Sequence, residues 1–480
     1  MKFNKVALAA AIYCAVYGGT VSAAGLRQPS SVQQTNYAHS YYDQGDAQAS
    51  PSDVPAPIVD NAPLAYDGAA FDGGACDVCA EPEAEVCEPW RLFNQDRSVK
   101  VYGWVNGGIF TNSRNTDSNY NGPVTFADRN DGQINQLYGV IEKTIDTGGC
   151  GWDFGGRFDV LYGTDWVYNT QVGWETDPAT GALLDGWNSS PYYGLVTPQA
   201  YGEIGYNDLS VKVGRFYTPI GYEVVTAPNN FFATHAYTMQ YGEPFSHTGA
   251  LATWKYSDNW SFIGGLVNGW DRFDGPSDRV AGIGGVVYTP DHERYTLTLT
   301  GISGQEANSA GNIPLNQLYS TRNMYSLVFN YSINDRWNYV FQHDHGWQKD
   351  FFEAAPTPGA GLADAEWYGI NQYLFYTIND CWKAGLRAEW FRDDDGARVA
   401  GVRPDNGTDL GNVSATPGGY AGNFYEISLG LNWTPHANLI VRPEVRYDWY
   451  EGEQLNGAAP FGDGTESSQW VYGLDAVVLW

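Results

Sequence analysis

The sequence predicts an all-β fold, a transmembrane antiparallel up-and-down β-barrel of about 16 strands (range 14–18), and three observations carry that expectation. Short segments alternate strictly in polarity from Val99 to the C-terminus. Their connections alternate between short turns and long loops, and aromatic residues recur beside nearly every short turn.

Composition narrows the class first. Tyr (34), Trp (18) and Gly (57) are abundant, but no stretch of 18 uncharged apolar residues is present. A helical membrane protein is therefore excluded, because a helix needs about 20 apolar residues to cross. The net charge of −29 argues against a nucleic-acid partner, since phosphate binding requires a basic footprint. It fits the solvation of long acidic loops and, more sharply, a cation-favouring pore mouth.

At the N-terminus, Lys2 and Lys5 precede an apolar run from Val6 to Tyr17, and Val21-Ser22-Ala23 places small residues where a signal peptidase reads. Residues 1–23 are thus expected to be a cleaved signal peptide of an exported bacterial outer-membrane protein. Residues 24–98 hold twelve acidic residues against three basic ones, are rich in Pro and Ala, and show no sustained period. They read as a disordered leader. Residues 99–480 form the barrel domain.

Within the barrel domain the two-residue period is explicit. Trp152, Phe154, Phe158, Val160 and Tyr162 share one face while Asp153, Arg157 and Asp159 share the other. Leu386, Ala388 and Trp390 alternate with Arg387 and Glu389, and Leu439, Val441, Val445, Tyr447 and Trp449 with Arg442, Glu444, Arg446 and Asp448. One face suits lipid and the other suits water.

Short turns are expected at 146–151, 207–208, 257–259, 289–293, 332–336, 379–381 and 434–437. Long loops are expected at 111–131, 163–197, 217–247, 271–278, 304–321, 348–363, 392–419 and 450–469. That arrangement describes short periplasmic turns and long extracellular loops, with sixteen strands and both barrel ends on the short-turn side. Trp254, Tyr256, Trp260, Tyr288, Tyr295, Tyr331, Trp337, Tyr376, Trp382 and Trp433 beside those turns suit an interfacial aromatic girdle. The last strand, with Trp470, Tyr472, Leu474, Ala476, Val478 and Trp480 on one face, has the form needed to close the ring.

The stretch RFYTPIGYEVVTAPNN from Arg215 to Asn230, with YGEPFSHTG from Tyr241 to Gly249 and VNGWD from Val267 to Asp271, resembles the OmpL-like putative β-barrel porin family, as does the chain from about Val99 to Trp480. The resemblance implies a bacterial outer-membrane porin, without assigning a solute. The cysteine-containing leader departs from the family's usual barrel.

The third long loop, 217–247, is apolar and aromatic for a loop and is stiffened by Pro219, Pro228 and Pro244. It is expected to fold into the lumen and narrow a water-filled pore for small hydrophilic solutes or ions. Glu223 and Glu243 would then face Lys383, Arg387, Arg442 and Arg446, with Arg157 and Glu444 as further lining candidates. Alternatively, these charges pair along adjacent strands and fill space. Arg215 shares parity with Leu209, Val211 and Val213, on the lipid side, unless a bulge shifts the phase.

Cys76, Cys79, Cys87, Cys150 and Cys381 are disulfide candidates, since an oxidising compartment favours bridges. A zinc site in the leader cluster lacks a neighbouring His. Cys150 and Cys381 lie too far apart around the ring to bond each other, but either could bond a leader cysteine. His343 and His345 share a strand face, a spacing that can hold a metal, yet nothing nearby completes a site. No G-x-S-x-G, P-loop or H-E-x-x-H is present, so no enzyme, cofactor or metal is expected. Outer-membrane lipid is the expected surround and a homotrimer a possible assembly. A substrate-specific channel and a surface-structural or adhesive barrel remain open beside the general porin.

Overall fold

The computed structural model describes residues 92–93, 98–114, 121–124, 131–177, 184, 193–274, 279–307, 319–353, 362–399, 420–452 and 459–480. The expected signal peptide, nearly all of the leader, and Cys76, Cys79 and Cys87 lie outside the described residues.

Every strand pairs antiparallel with its neighbours. The chain runs through β1 (Lys100–Asn112), β2 (Gly132–Lys143), β3 (Trp152–Gly163), β4 (Gly194–Val196), β5 (Ala200–Tyr206), β6 (Leu209–Tyr217), β7 (Ser246–Lys255), β8 (Trp260–Val267) and β9 (Ala281–Tyr288). It continues through β10 (Tyr295–Ala307), β11 (Tyr319–Asn334), β12 (Trp337–Glu353), β13 (Leu362–Asn379), β14 (Trp382–Asp393), β15 (Gly422–His436), β16 (Leu439–Gly452) and β17 (Ser468–Leu479). Sequential strands are bonded in order, and β17 returns to β1 through Trp104↔Leu479 to Asn112↔Val471. The result is a closed sixteen-stranded barrel with one extra strand. That extra strand is the three-residue β4, which pairs with the far end of β3 while β5 pairs with the near end.

The expected parity governs both faces. Trp152, Phe154, Phe158 and Tyr162 point out of β3, while Arg157 and Asp159 are buried inside. On β17, Trp470, Tyr472, Leu474 and Val478 are exposed, and Val471, Asp475, Val477 and Leu479 are buried. Among the described residues the outer wall is thus an exposed apolar skin.

Two aromatic belts bound that skin. At the short-turn end, Trp152 packs on Tyr206 (4.5 Å between rings), Trp260 on Tyr288 (4.6 Å) and Trp337 on Tyr376 (4.5 Å), with Trp382 on Trp433 (5.6 Å). A second belt, which the turn positions alone do not reveal, runs through Trp470, Tyr447, Trp449, Tyr425, Trp390, Tyr368, His345 and Tyr325. On β12 the belts are marked by Trp337 and His345. Ordinary strand rise and tilt put these about 20 Å apart along the membrane normal, near the height of an apolar band.

The inner face departs from the expected uniform ionic lining. Over β7 to β11 it carries Leu251, Ile263, Val267, Ala281, Ile283, Ile302 and Met324, which pack with Phe216, Ile220, Tyr237 and Tyr241 of the third loop and its flank. Over β13 to β17 it is ionic. The third loop lies between an apolar wall and a charged one, which accounts for its own mixed composition.

His343 and His345 alternate with buried Gln342 and Asp344 and therefore face outward, where His345 Nε2 lies 2.8 Å from Glu366. Among the described residues no group of three or more His, Cys, Asp or Glu side chains gathers there or elsewhere in a way that could hold a metal ion. Cys381, in the turn between β13 and β14, is disulfide-bonded. Cys150 is a correction to the bridge candidates: it is a free, exposed thiol. It stands in the β2–β3 turn among Gly148, Gly149 and Gly151, and the one other described cysteine is already bonded.

The seam where the ring closes is tight. Gly103 exchanges backbone hydrogen bonds with Trp480 (3.1 and 2.9 Å), and a Cβ on Gly103 would stand 2.1 Å from the Tyr138 carbonyl and 2.5 Å from the Trp480 ring. Gly103→Val is expected to destabilise the closed barrel by about 1–3 kcal/mol through overpacking. Heat-modifiable migration in gel electrophoresis would show it as a lowered unfolding temperature.

Candidate functional site

Proline and close packing hold the third loop in an open, irregular course with little regular structure. It leaves β6 at Tyr217, makes a single 3-10 turn at Ala227–Asn229 and a five-residue π-helical turn at Thr238–Gly242, and re-enters the sheet at Ser246. Nearly all of it is buried. A loop left in solvent would expose these rings; here they are inside the barrel.

Inward-facing residues of β13 to β16 bind this loop. Arg387 of β14 donates to Glu223 (2.8 Å), to the Thr234 carbonyl (2.7 Å) and to the Thr234 hydroxyl (2.8 Å). Arg446 of β16 donates to the His235 carbonyl (2.6 Å), and Arg442 to the carbonyls of Ala227 and Asn230 (both 2.8 Å). The wall acids take the opposite partners. Glu444 accepts from the Ala233 and Thr234 amides (2.8 and 3.0 Å), and Glu389 from the Tyr237 and Thr238 amides (both 2.6 Å). Tyr373 donates to Glu223 and Tyr237 donates to Asp448 (2.8 and 2.7 Å).

The same arginines also pair along the wall. Arg387 and Arg446 both meet Glu426 (2.7 and 3.2 Å), Arg446 meets Asp448 (2.8 Å) and Arg442 meets Asp475 (2.5 Å). Local pairing and loop contact, which sequence presented as alternatives, coexist at one set of guanidinium groups. Each has five donors in a planar fork, enough for a wall carboxylate and a loop carbonyl together.

The structure brings Glu223, Arg387, Arg442, Glu444 and Arg446 together. Burial would raise the Glu223 carboxyl, but Arg387 outweighs it, helped by hydrogen bonds from His235 and the Ala236 amide, and holds the group below the usual carboxylate range. Burial pushes His235 below its ordinary value despite Glu223 beside it, so the imidazole is neutral near pH 7 and the 2.8 Å contact between them is a hydrogen bond.

Other candidates stand apart. Arg157 pairs with Asp159 (2.7 Å) and Glu142 (3.4 Å) on β2 and β3. Lys383 is half-buried beside the β13–β14 turn. Glu243 does not face the arginines as expected. Its loop position puts it against β12, where Gln342 (2.5 Å) and Asp344 are the inward polar groups. Arg215 departs from strand parity without a bulge: β6 keeps an unbroken register with β5 and β7, Gly214 has φ of 135°, and the following Arg215 is buried against Glu175 (2.6 Å) of the second loop.

A closed antiparallel barrel with an apolar outer wall, two aromatic belts and a charged lumen crossed by a loop defines a bacterial outer-membrane channel for passive diffusion of solutes. The family model described as Putative beta-barrel porin-2, OmpL-like, matches residues 98–480, and the chain belongs to that family. No curated protein matches it in sequence. Similar solved structures include the outer membrane channel DcaP of Acinetobacter baumannii, at 11% identity, 80% of this chain, 97% of that chain and a TM-score of 0.47. In vitro folded OmpT of Vibrio cholerae is similar at 12% identity, 81% of this chain, 100% of that chain and a TM-score of 0.48. An anion-selective porin from Comamonas acidovorans is similar at 9% identity, 80% of this chain, 99% of that chain and a TM-score of 0.47.

Arg387→Ala leaves Glu223 and Glu426 buried without their shared cation and frees the Thr234 carbonyl. A loss of about 3–5 kcal/mol is expected, the scale for breaking a buried pair from one side. Denaturant titration of the detergent-folded barrel measures it, with the loop's susceptibility to protease rising in parallel.

Proposed function

We propose that the loop from Tyr217 to His247 is the constriction of a channel for small hydrophilic solutes and ions, and that the channel favours cations. The observation that carries this reading is the docking of residues 223–238 on the charged wall through Arg387, Arg442, Arg446, Glu389 and Glu444. A second supports the sign of selectivity. Among the described residues fifteen Asp and Glu are buried against seven Lys and Arg, an excess of acidic groups that favours cations inside the barrel. On family grounds we read the barrel as acting without a catalytic step.

Reversal potentials across a planar bilayer in a salt gradient test the reading. The wild type is expected to pass cations over anions, and a double variant Arg442→Ala, Arg446→Ala is expected to shift the potential further toward cations and to raise conductance. Unchanged selectivity in that variant would remove these residues from the constriction. Cleavage after Ala23 and assembly as a homotrimer belong to the same proposal, drawn from the N-terminal pattern and from analogy with other sixteen-stranded porins. N-terminal sequencing of the mature chain is expected to begin at Ala24, and crosslinking in native membranes is expected to stop at three chains.

A further inference from the structure

Nearly all buried acids along β13 to β17 have a guanidinium beside them. Glu243 and Asp344 do not. Glu243 stands at the descending end of the third loop, just before Pro244, and Asp344 at the middle of the inner face of β12. Both are buried, and their carboxyl groups are in hydrogen-bonding contact with each other. The groups acting on the pair are Glu223, Gln342 and Ser326, with no Lys, Arg or His among them.

Three further features single out the point where they meet. Asp344 Oδ2 is buried without a hydrogen-bond donor. The Gln342 side-chain amide touches both carboxyls, at 2.5 Å from Glu243 and 3.0 Å from Asp344, and lies 3.4 Å from Ser326 Oγ. Gly221 gives the Glu243 carboxylate its room: its φ is 95°, and a Cβ there would stand 2.0 Å from Glu243 Oε2. Two carboxyls meeting in a buried place require a positive charge between them, because like charges at contact cannot both ionise unaided.

We propose that Glu243 and Asp344 bind one hard divalent cation, with calcium as its natural occupant, and that this ion fastens the descending end of the third loop to β12. The donor set is chemically suited to it. Two carboxylates balance the ion's charge, Ser326 Oγ adds a neutral oxygen, and a half-turn of the Gln342 amide presents Oε1 in place of its nitrogen. Water supplies the remaining positions in such oxygen-rich sites. The ion relieves the repulsion between two buried carboxyls at contact, and a single shared proton is the competing occupant.

Terbium, a calcium substitute that emits when a nearby indole is excited, reads the site directly. Trp367 Nε1 donates to the Gly242 carbonyl at 3.0 Å, so a sensitiser sits one residue from Glu243. Full-length protein folded in detergent is expected to show a saturable tryptophan-sensitised terbium signal that calcium displaces. Glu243→Gln and Asp344→Asn are each expected to lose it or to weaken it at least about tenfold, a change of about 1.4 kcal/mol. Equal signals in the wild type and both variants would place the ion on the acidic loops and overturn the proposal. Should either variant fail to fold, the wild type decides alone: calcium is expected to raise its unfolding temperature relative to chelator. An unfolding temperature indifferent to calcium, with no displaceable signal, would mean that the pair shares a proton instead.

Discussion

No water inside a bilayer can pair a free strand edge, so β17 must return to β1 and every strand must find two neighbours. Closure fixes the rest. With the ring shut, successive residues have only two destinations, lipid or lumen, and a one-residue slip would exchange them along a whole strand. The apolar skin and the ionic interior are therefore one constraint seen from two sides. So is the tightness at Gly103, where the last residue of the chain meets the first strand.

Closure also creates a difficulty that the third loop resolves. Parity sends Arg387, Arg442, Arg446, Glu389 and Glu444 into a narrow interior where solvent is scarce. Wall neighbours neutralise part of this charge, and Glu426, Asp448 and Asp475 do so along the strands. The remaining donors and acceptors are met by the loop, whose carbonyls and amides stand at the positions solvent would otherwise occupy. Its apolar residues, Ile220 and Tyr241 among them, turn toward the opposite wall of β7 to β11.

Much of this was legible in the residues. Period-two alternation located the strands, and turn chemistry located the short connections, because both are local. The entry of the third loop into the lumen was legible from its prolines and rings, which no solvated loop would carry. What was not legible depends on register. Glu389 and Glu444 were visible as inner-face residues, but which partners each would meet follows from pairings such as Arg387↔Ser428, which no single strand specifies. The misplaced Glu243 has the same origin: its partners are on β12, about a hundred residues downstream. The burial of Arg215 and the second aromatic belt were missed because one turns on a single backbone angle at Gly214 and the other on residues far from any turn. The apolar inner wall was missed because strands apolar on both faces lack the alternation that marks an inside.

Most of the bonds that seat the third loop are made to its main chain: the carbonyls of Ala227, Asn230, Thr234 and His235, and the amides of Ala233, Thr234, Tyr237 and Thr238. Every amino acid but proline offers those groups equally. The charged wall therefore reads the course of the loop's backbone, while the choice of side chain is constrained separately, where Phe231 and Ala236 are closely packed.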